Sequence, residues 1–251
     1  MSKKYFLAII TILLLNLLNS CNKDSKTNKK SPEAEVVDLK EIPEVEEPAI
    51  EVKKNLADFI PKNHVPFDTI YGDLNKDGLE DCVLIIKGTD KSKIITHEYR
   101  GKLDRNRRGI MVLLNKKGGY ELAVKNYNCF SSENEDGGVY YAPELDFQID
   151  KNKLFINYSH GRYGYWSYTF RLQNNDLELI GYDGSSNRGP IVLTEISINF
   201  LTRKKIVNQN INENTYDDDE IFEKKETKIS RTKLIKLSEI EDFDELDFSS
   251  E

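Results

Sequence analysis

Three cysteines, three histidines, two methionines and one tryptophan are few for 251 residues, and each scarcity closes off a class of protein. So few cysteines cannot staple a disulfide-dense scaffold. The histidines, His64, His97 and His160, stand at no metal-ligand spacing, and no Gly-x-Ser-x-Gly elbow, His-Glu-x-x-His pair or phosphate loop occurs. Beyond the first twenty residues no apolar run approaches the roughly 20 residues that a membrane-spanning helix needs. Basic residues are outnumbered, 36 Lys and Arg against 43 Asp and Glu, for a net charge of −7. That excess of acid argues against a nucleic-acid binder, since phosphate contact requires clustered Lys and Arg. What the chain does have is 13 Tyr and 11 Phe, far more ring than a wholly disordered polypeptide carries. Its composition speaks to address and architecture rather than to a reaction.

The address is written first. Lys3 and Lys4 precede an apolar stretch from Tyr5 to Leu18 interrupted only by Thr11 and Asn16, the form of a signal-peptide core. It ends in Leu18-Asn19-Ser20-Cys21, which resembles the lipobox of bacterial lipoproteins, with Asn19 less usual at its place than Ala, Ser or Thr. The resemblance implies lipidation of Cys21 and cleavage before it, so residues 1–20 are read as a signal peptide. Several acyl chains anchor stably, at about 0.8 kcal/mol per buried CH₂. The expected location is the bacterial cell envelope, on the outer membrane. The readings with which this competes are an ordinary secretory signal followed by a coincidental cysteine, and an uncleaved N-terminal anchor.

Residues 21–55 read as the lipidated cysteine and a disordered tether. From Asn22 to Lys54 there is no aromatic residue, three of the seven prolines (Pro32, Pro43, Pro48) fall here, and the charge runs from Lys-rich to Glu-rich. Such a segment cannot bury enough apolar surface to offset its ordering entropy. Extended, it reaches roughly 100 Å from the bilayer.

Residues 56–208 are predicted to be a mainly β domain. Apolar runs such as Cys82–Ile86, Ile110–Leu114, Leu154–Tyr158, Trp166–Leu172 and Leu177–Tyr182 alternate with turn chemistry at Asn115–Gly119, Asp150–Lys153, Gln173–Asp176 and Thr202–Lys205. About ten strands joined by short loops make an antiparallel meander, closed as a barrel, a sandwich or partial propeller-like blades. Residues 209–251 read as a polar C-terminal segment. Its stretch 209–232 is expected to be a loop, and Ser238 to cap a short helix over Glu239–Leu246.

Between the first two strands of the domain stands Asp73-Leu74-Asn75-Lys76-Asp77-Gly78-Leu79-Glu80-Asp81. Side-chain oxygens at relative positions 1, 3, 5 and 9 with Gly at 6 suit Ca²⁺, because alternate residues of a tightly curled loop point inward and Gly permits the turn. Position 12 is Leu84 and strand-like residues flank the loop, which argues against an EF-hand. The pattern resembles the calcium loop of FG-GAP and VCBS-type repeats, over roughly residues 68–87, although only one good copy is present. That resemblance implies Asp73, Asn75, Asp77 and Asp81 as side-chain ligands and Leu79 as a carbonyl ligand, with a structural role for the ion. A wider likeness to a family of uncharacterised bacterial exported proteins rests on the same loop, Arg107-Arg108-Gly109-Ile110, Tyr168-Thr169-Phe170-Arg171 and Leu179–Asp183, and carries no activity. The competing reading is an Asx-rich turn that binds nothing.

Two weaker constellations remain. With Cys21 lipidated, Cys82 and Cys129 form an even pair that one disulfide could join, worth about 3–4 kcal/mol; otherwise Cys82, in phase with Leu84 and Ile86, is a core thiol. His160–Trp166 is the richest aromatic-basic patch, and Arg162, Tyr163, Tyr165 and Trp166, joined by Arg188 if the strands pair as a meander, are candidate contacts for a protein or glycan partner. Ordinary packing of rings in a sheet is the plainer account of them. The leading functional expectation is thus a lipid-anchored, Ca²⁺-stabilised β-domain that binds a partner without catalysis. Hydrolysis of envelope polysaccharide by paired carboxylates, or inhibition of a toxin or enzyme in the periplasm, are the alternatives.

Overall fold

The computed structural model describes residues 51–135, 142–212, 220–248 and 251. The signal peptide, Cys21 and most of the tether lie outside the described residues. The described chain is antiparallel β, and no helix in it is long and apolar enough to cross a membrane.

One sheet has five strands: β1 (Val52–Lys53), β2 (His64–Gly72), β3 (Asp81–Gly88), β6 (Arg108–Asn115) and β7 (Tyr120–Phe130), in the order β1-β7-β6-β3-β2. A small hairpin, β4 (Ile94–His97) with β5 (Gly101–Asp104), fills the connection between β3 and β6. The second sheet is an unbroken meander of seven strands in chain order: β8 (Glu144–Asp150), β9 (Lys153–Ser159), β10 (Gly164–Gln173), β11 (Asp176–Arg188), β12 (Ile191–Asn199), β13 (Lys204–Asn210) and β14 (Phe222–Lys228). The antiparallel sheets include one that is curled like half a barrel.

Local chemistry sets the hairpins. The central residues of the β8–β9 and β10–β11 turns, Lys151-Asn152 and Asn174-Asn175, all have positive φ (48°, 59°, 52° and 59°). Two left-handed residues in succession give the mirror-image turn whose twist matches that of the flanking strands.

A shared core joins the sheets: Val83, Ile85, Ile110 and Val112 from the first meet Leu154, Ile156, Phe170 and Leu179 from the second. The opposite face of β3 and β6 is also covered. Cys82, Leu84, Ile86, Met111 and Leu113 pack there with Phe59 of the 3-10 turn Leu56–Phe59. Burial on both faces explains why β3 and β6 read as continuous apolar runs instead of alternating ones.

The C-terminal segment departs from the sequence reading in two ways. Residues 222–228 are strand β14, an edge strand exposed along its whole length. Beyond it, Leu237, Ile240, Phe243 and Phe248 enter the core as an irregular strap with 3-10 turns at Leu237–Glu239 and Phe243–Glu245. Asn126 Nδ2 holds the strap by donating to the carbonyls of Leu237 (2.8 Å) and Ile240 (2.6 Å), and Arg107 pairs with Asp242 at 2.8 Å. Ser238 does not cap a helix; it lies within the first turn and its hydroxyl donates to Asp176.

The bridge that the even pair permits between Cys82 and Cys129 is not formed: both thiols are free and buried. Cys82 faces the outer cluster with Leu84, whereas Cys129 faces the core between the sheets, so the first sheet lies between them.

Candidate functional site

The acidic loop connects β2 to β3, and its side chains organise its own backbone. Asp73 accepts from the amides of Lys76 (Oδ1, 2.6 Å) and Gly78 (Oδ2, 3.1 Å). Asn75 Oδ1 accepts from Asp77 N–H at 2.9 Å, and Asp77 Oδ1 from Leu79 N–H at 2.8 Å. Positive φ at Lys76 (68°) and Gly78 (82°) gives the tight curl. Backbone hydrogen bonding from Leu79 leads the effects that hold the Asp77 carboxyl below its ordinary value.

Asp81 behaves differently. It is fully buried, and its two oxygens accept from Leu74 N–H (2.8 Å) and Asn115 N–H (3.0 Å), so it clamps the base of the loop. Burial raises its pKa against the lowering effect of those bonds. Leu74, one of two leucines inside the run of oxygen side chains, is 2% exposed and plugs into the main core. Asn152 Nδ2 donates to the Asp73 carbonyl at 2.7 Å, tying the loop to the β8–β9 turn.

Hard oxygen donors are therefore present in Asp73, Asn75 and Asp77, with no ion pair to either aspartate among the described residues. This donor chemistry fits a calcium ion, which takes six to eight oxygens. Among the described residues no three His, Cys, Asp or Glu side chains converge as a ready-made metal cluster.

The aromatic patch is built by strand register. Gly164 begins β10 at φ 116°, where a side chain would meet the Ser185 carbonyl at 2.0 Å, so β10 lies tightly on β11 here. Trp166 stands directly opposite Tyr158 on β9, and their rings stack at 5.1 Å and 12°. Tyr168, two residues on and on the same face, packs against Tyr182 at 5.4 Å and donates from its hydroxyl to the Phe243 carbonyl at 3.3 Å.

Two adjoining hollows open at this end. Arg162, Tyr163 and Glu144 line one of about 440 Å³, and Tyr158, Trp166, Tyr182, Glu135 and Asp244 line one of about 420 Å³; His160 and Ala142 belong to both. The structure thus brings Arg162, Tyr163 and Trp166 together. Tyr165 alternates to the other face, 48% exposed, and Arg188 lines neither hollow. The participation of Tyr158 and Asp244 was not read from the sequence. For Tyr158 a signal existed, since Trp166 and Tyr158 oppose each other across a short hairpin-like connection.

Tyr158 is 3% exposed and its hydroxyl has no hydrogen-bond partner. Burial, reinforced by the charge of Asp244, pushes its phenol far above the usual range, with Arg108 opposing. Of the two acids in this hollow, Glu135 accepts from Ser132 Oγ at 2.7 Å and faces Arg105 at 3.8 Å. A third hollow of about 610 Å³, beside His64 and Arg107, has polar walls already committed: Asn106 to Asp90 and Asp104, Arg107 to Asn128 and Asp242.

Compared with protein families, characterised proteins and solved structures, the chain has no match.

Proposed function

We propose that this is a lipid-anchored protein of the bacterial cell envelope, tethered to the outer membrane through Cys21, whose β-domain binds a protein or glycan partner. The binding end is the pair of hollows around Arg162, Tyr163 and Trp166. The observation that carries the reading is the convergence there of aromatic rings, a guanidinium and an unpartnered buried hydroxyl, the composition of a site that fixes a ligand by a few polar groups in apolar surroundings. The Asp73–Asp81 loop, in this reading, holds structural Ca²⁺ through Asp73, Asn75, Asp77 and the Leu79 carbonyl, with Asp81 clamping its base, and stiffens the opposite end of the domain.

Polysaccharide hydrolysis is the weaker reading. It requires two carboxylates facing each other across one cleft; in the hollow under Trp166 Glu135 is engaged by Ser132 and Arg105, which leaves Asp244 alone there, and Glu144 lines the other hollow.

The test is retention of the full chain, solubilised in detergent, on delipidated envelope material. Arg162→Ala with Tyr163→Ala alters a 3-10 turn that buries no residue, and an unfolding midpoint close to wild type is the control for its fold. Loss of retention in this double variant supports the reading; retention equal to wild type contradicts it.

A further inference from the structure

The hollow beneath Trp166 has more chemical definition than partner binding in general requires. Tyr158 lines it, with its hydroxyl buried and without a partner. Native proteins rarely leave such a group unsatisfied, because it has given up water for nothing. Its wall includes Asp244, whose carboxylate forms no ion pair or side-chain hydrogen bond among the described residues. Trp166, Tyr168 and Tyr182 supply ring surface, and Tyr168 has already spent its hydroxyl on Phe243.

These groups suit two kinds of small ligand, a sugar ring or an organic cation. Arg108 decides between them. It continues the inward row of Ile110 and Val112 on β6, is 6% exposed, donates Nε to the Ser131 carbonyl at 2.9 Å, and lies over the Phe67 ring at 5.3 Å. Ser131 itself lines the hollow. A buried guanidinium behind this wall opposes a cation but not a neutral polyol. The volume of about 420 Å³ lies within the range of small-molecule sites.

Resting on the binding reading above, we infer that this hollow takes one pyranose ring of a glycan, with the carbon-hydrogen face of the sugar against the aromatic wall, adjacent hydroxyls donating to Asp244, and one hydroxyl pairing with Tyr158. The partner of this end of the domain is then a carbohydrate and not a protein.

Trp166 is the single tryptophan of the chain, so its emission reports on this hollow alone. The experiment titrates full-length protein in detergent micelles with the methyl glycosides of glucose, galactose, mannose and N-acetylglucosamine, and with tetramethylammonium, each to about 50 mM, the range in which a single-ring site binds. At least one glycoside is expected to change Trp166 emission saturably. Asp244→Asn and Tyr158→Phe are each expected to weaken that binding roughly tenfold, the usual size of one lost hydrogen bond in a buried site. Tyr158→Phe removes a hydroxyl that bonds nothing in the protein, so its unfolding midpoint stays equal to or above wild type.

No saturable change with any glycoside overturns the inference, as does saturation by tetramethylammonium alone, or glycoside binding equally strong in both variants. If glycosides fail while Arg162→Ala/Tyr163→Ala still abolishes envelope retention, the end binds a protein and only the glycan assignment falls. If retention is also indifferent to that double variant, the binding reading falls with it.

Discussion

The side-chain amide of Asn152 donates 2.7 Å to the carbonyl of Asp73, joining the acidic loop of one sheet to a turn of the other. At the same seam Gly72 lies so close to Ile149 that an added Cβ would fall 2.6 Å from Cγ2. Ordering the loop therefore orders the contact between the sheets, and the proposed ion would stabilise the domain as a whole.

Calcium is expected to raise the unfolding midpoint and EDTA to lower it, reversibly. A ligand at one hundred times its dissociation constant adds about 2.7 kcal/mol. Asp73→Ala and Asp77→Ala should abolish the response, and Asn152→Ala should shrink it while leaving calorimetric binding in place. An unchanged melting curve with no heat of binding at millimolar Ca²⁺ contradicts the metal reading.

The strap should be as important to stability as any strand. Phe243 is 1% exposed and stacks on Phe130 at 4.7 Å. Phe243→Ala is expected to cost about 3–5 kcal/mol, as for other buried aromatic truncations. Lys224→Ala on exposed β14 should stay within about 0.5 kcal/mol. Denaturant unfolding compares them, and similar costs for the two would contradict a core role for the strap.

Acid sensitivity has an identifiable contributor in Asp104. Burial pushes its carboxyl up, but hydrogen bonds from Asn106 and the ammonium of Lys87, 3.1 Å away, outweigh this and hold it below its ordinary value. A folded-state value below the unfolded one means stability that is present above the unfolded carboxylate value of about 3.9 and lost as pH falls through the folded value. Asp104→Asn should therefore be less stable than wild type at neutral pH, with the gap closing in acid. A gap constant from pH 7 to strong acid would show that charge plays no part.

Cys82 and Cys129 should stay thiols even in an oxidising compartment. Burial pushes Cys82 up to about 11 and Cys129 higher still. Alkylation of native protein at neutral pH should be slow at both and fast after denaturation, read by mass. A peptide pair linked by a Cys82–Cys129 disulfide would contradict the placement of the two on opposite faces of the sheet.

Much of the fold was legible because its signals are local. Asn174-Asn175 and Lys151-Asn152 announce hairpins, and Ile110–Leu114 announces a buried strand. The strap was not, although Leu234, Leu237, Ile240, Phe243 and Leu246 recur every third residue. That period belongs to neither a strand nor an α-helix, and it lies in an acidic background that reads as solvent-exposed. Strand β14 escaped for another reason: Phe222–Lys228 is exposed on both faces, and its Lys-rich sequence protects a sheet edge instead of alternating. In the acidic loop, the turn at Gly78 and the bonding of Asp73, Asn75 and Asp77 to their own backbone were legible from the residue types. The clamp formed by Asp81 was not, because its partner Asn115 lies 34 residues away. The hollow under Trp166 needed the pairing of β9 with β10 and the arrival of Asp244 on the strap, both long-range facts.

The most direct test of partner binding places a photo-reactive side chain at position 163, beside the hollows, or at position 151, at the far end of β9 some 20 Å away by strand rise. Each full-length protein is illuminated in intact cells of its native host. The account predicts a covalent adduct from position 163 and none from position 151. No adduct at 163, or equal adducts from both positions, contradicts it.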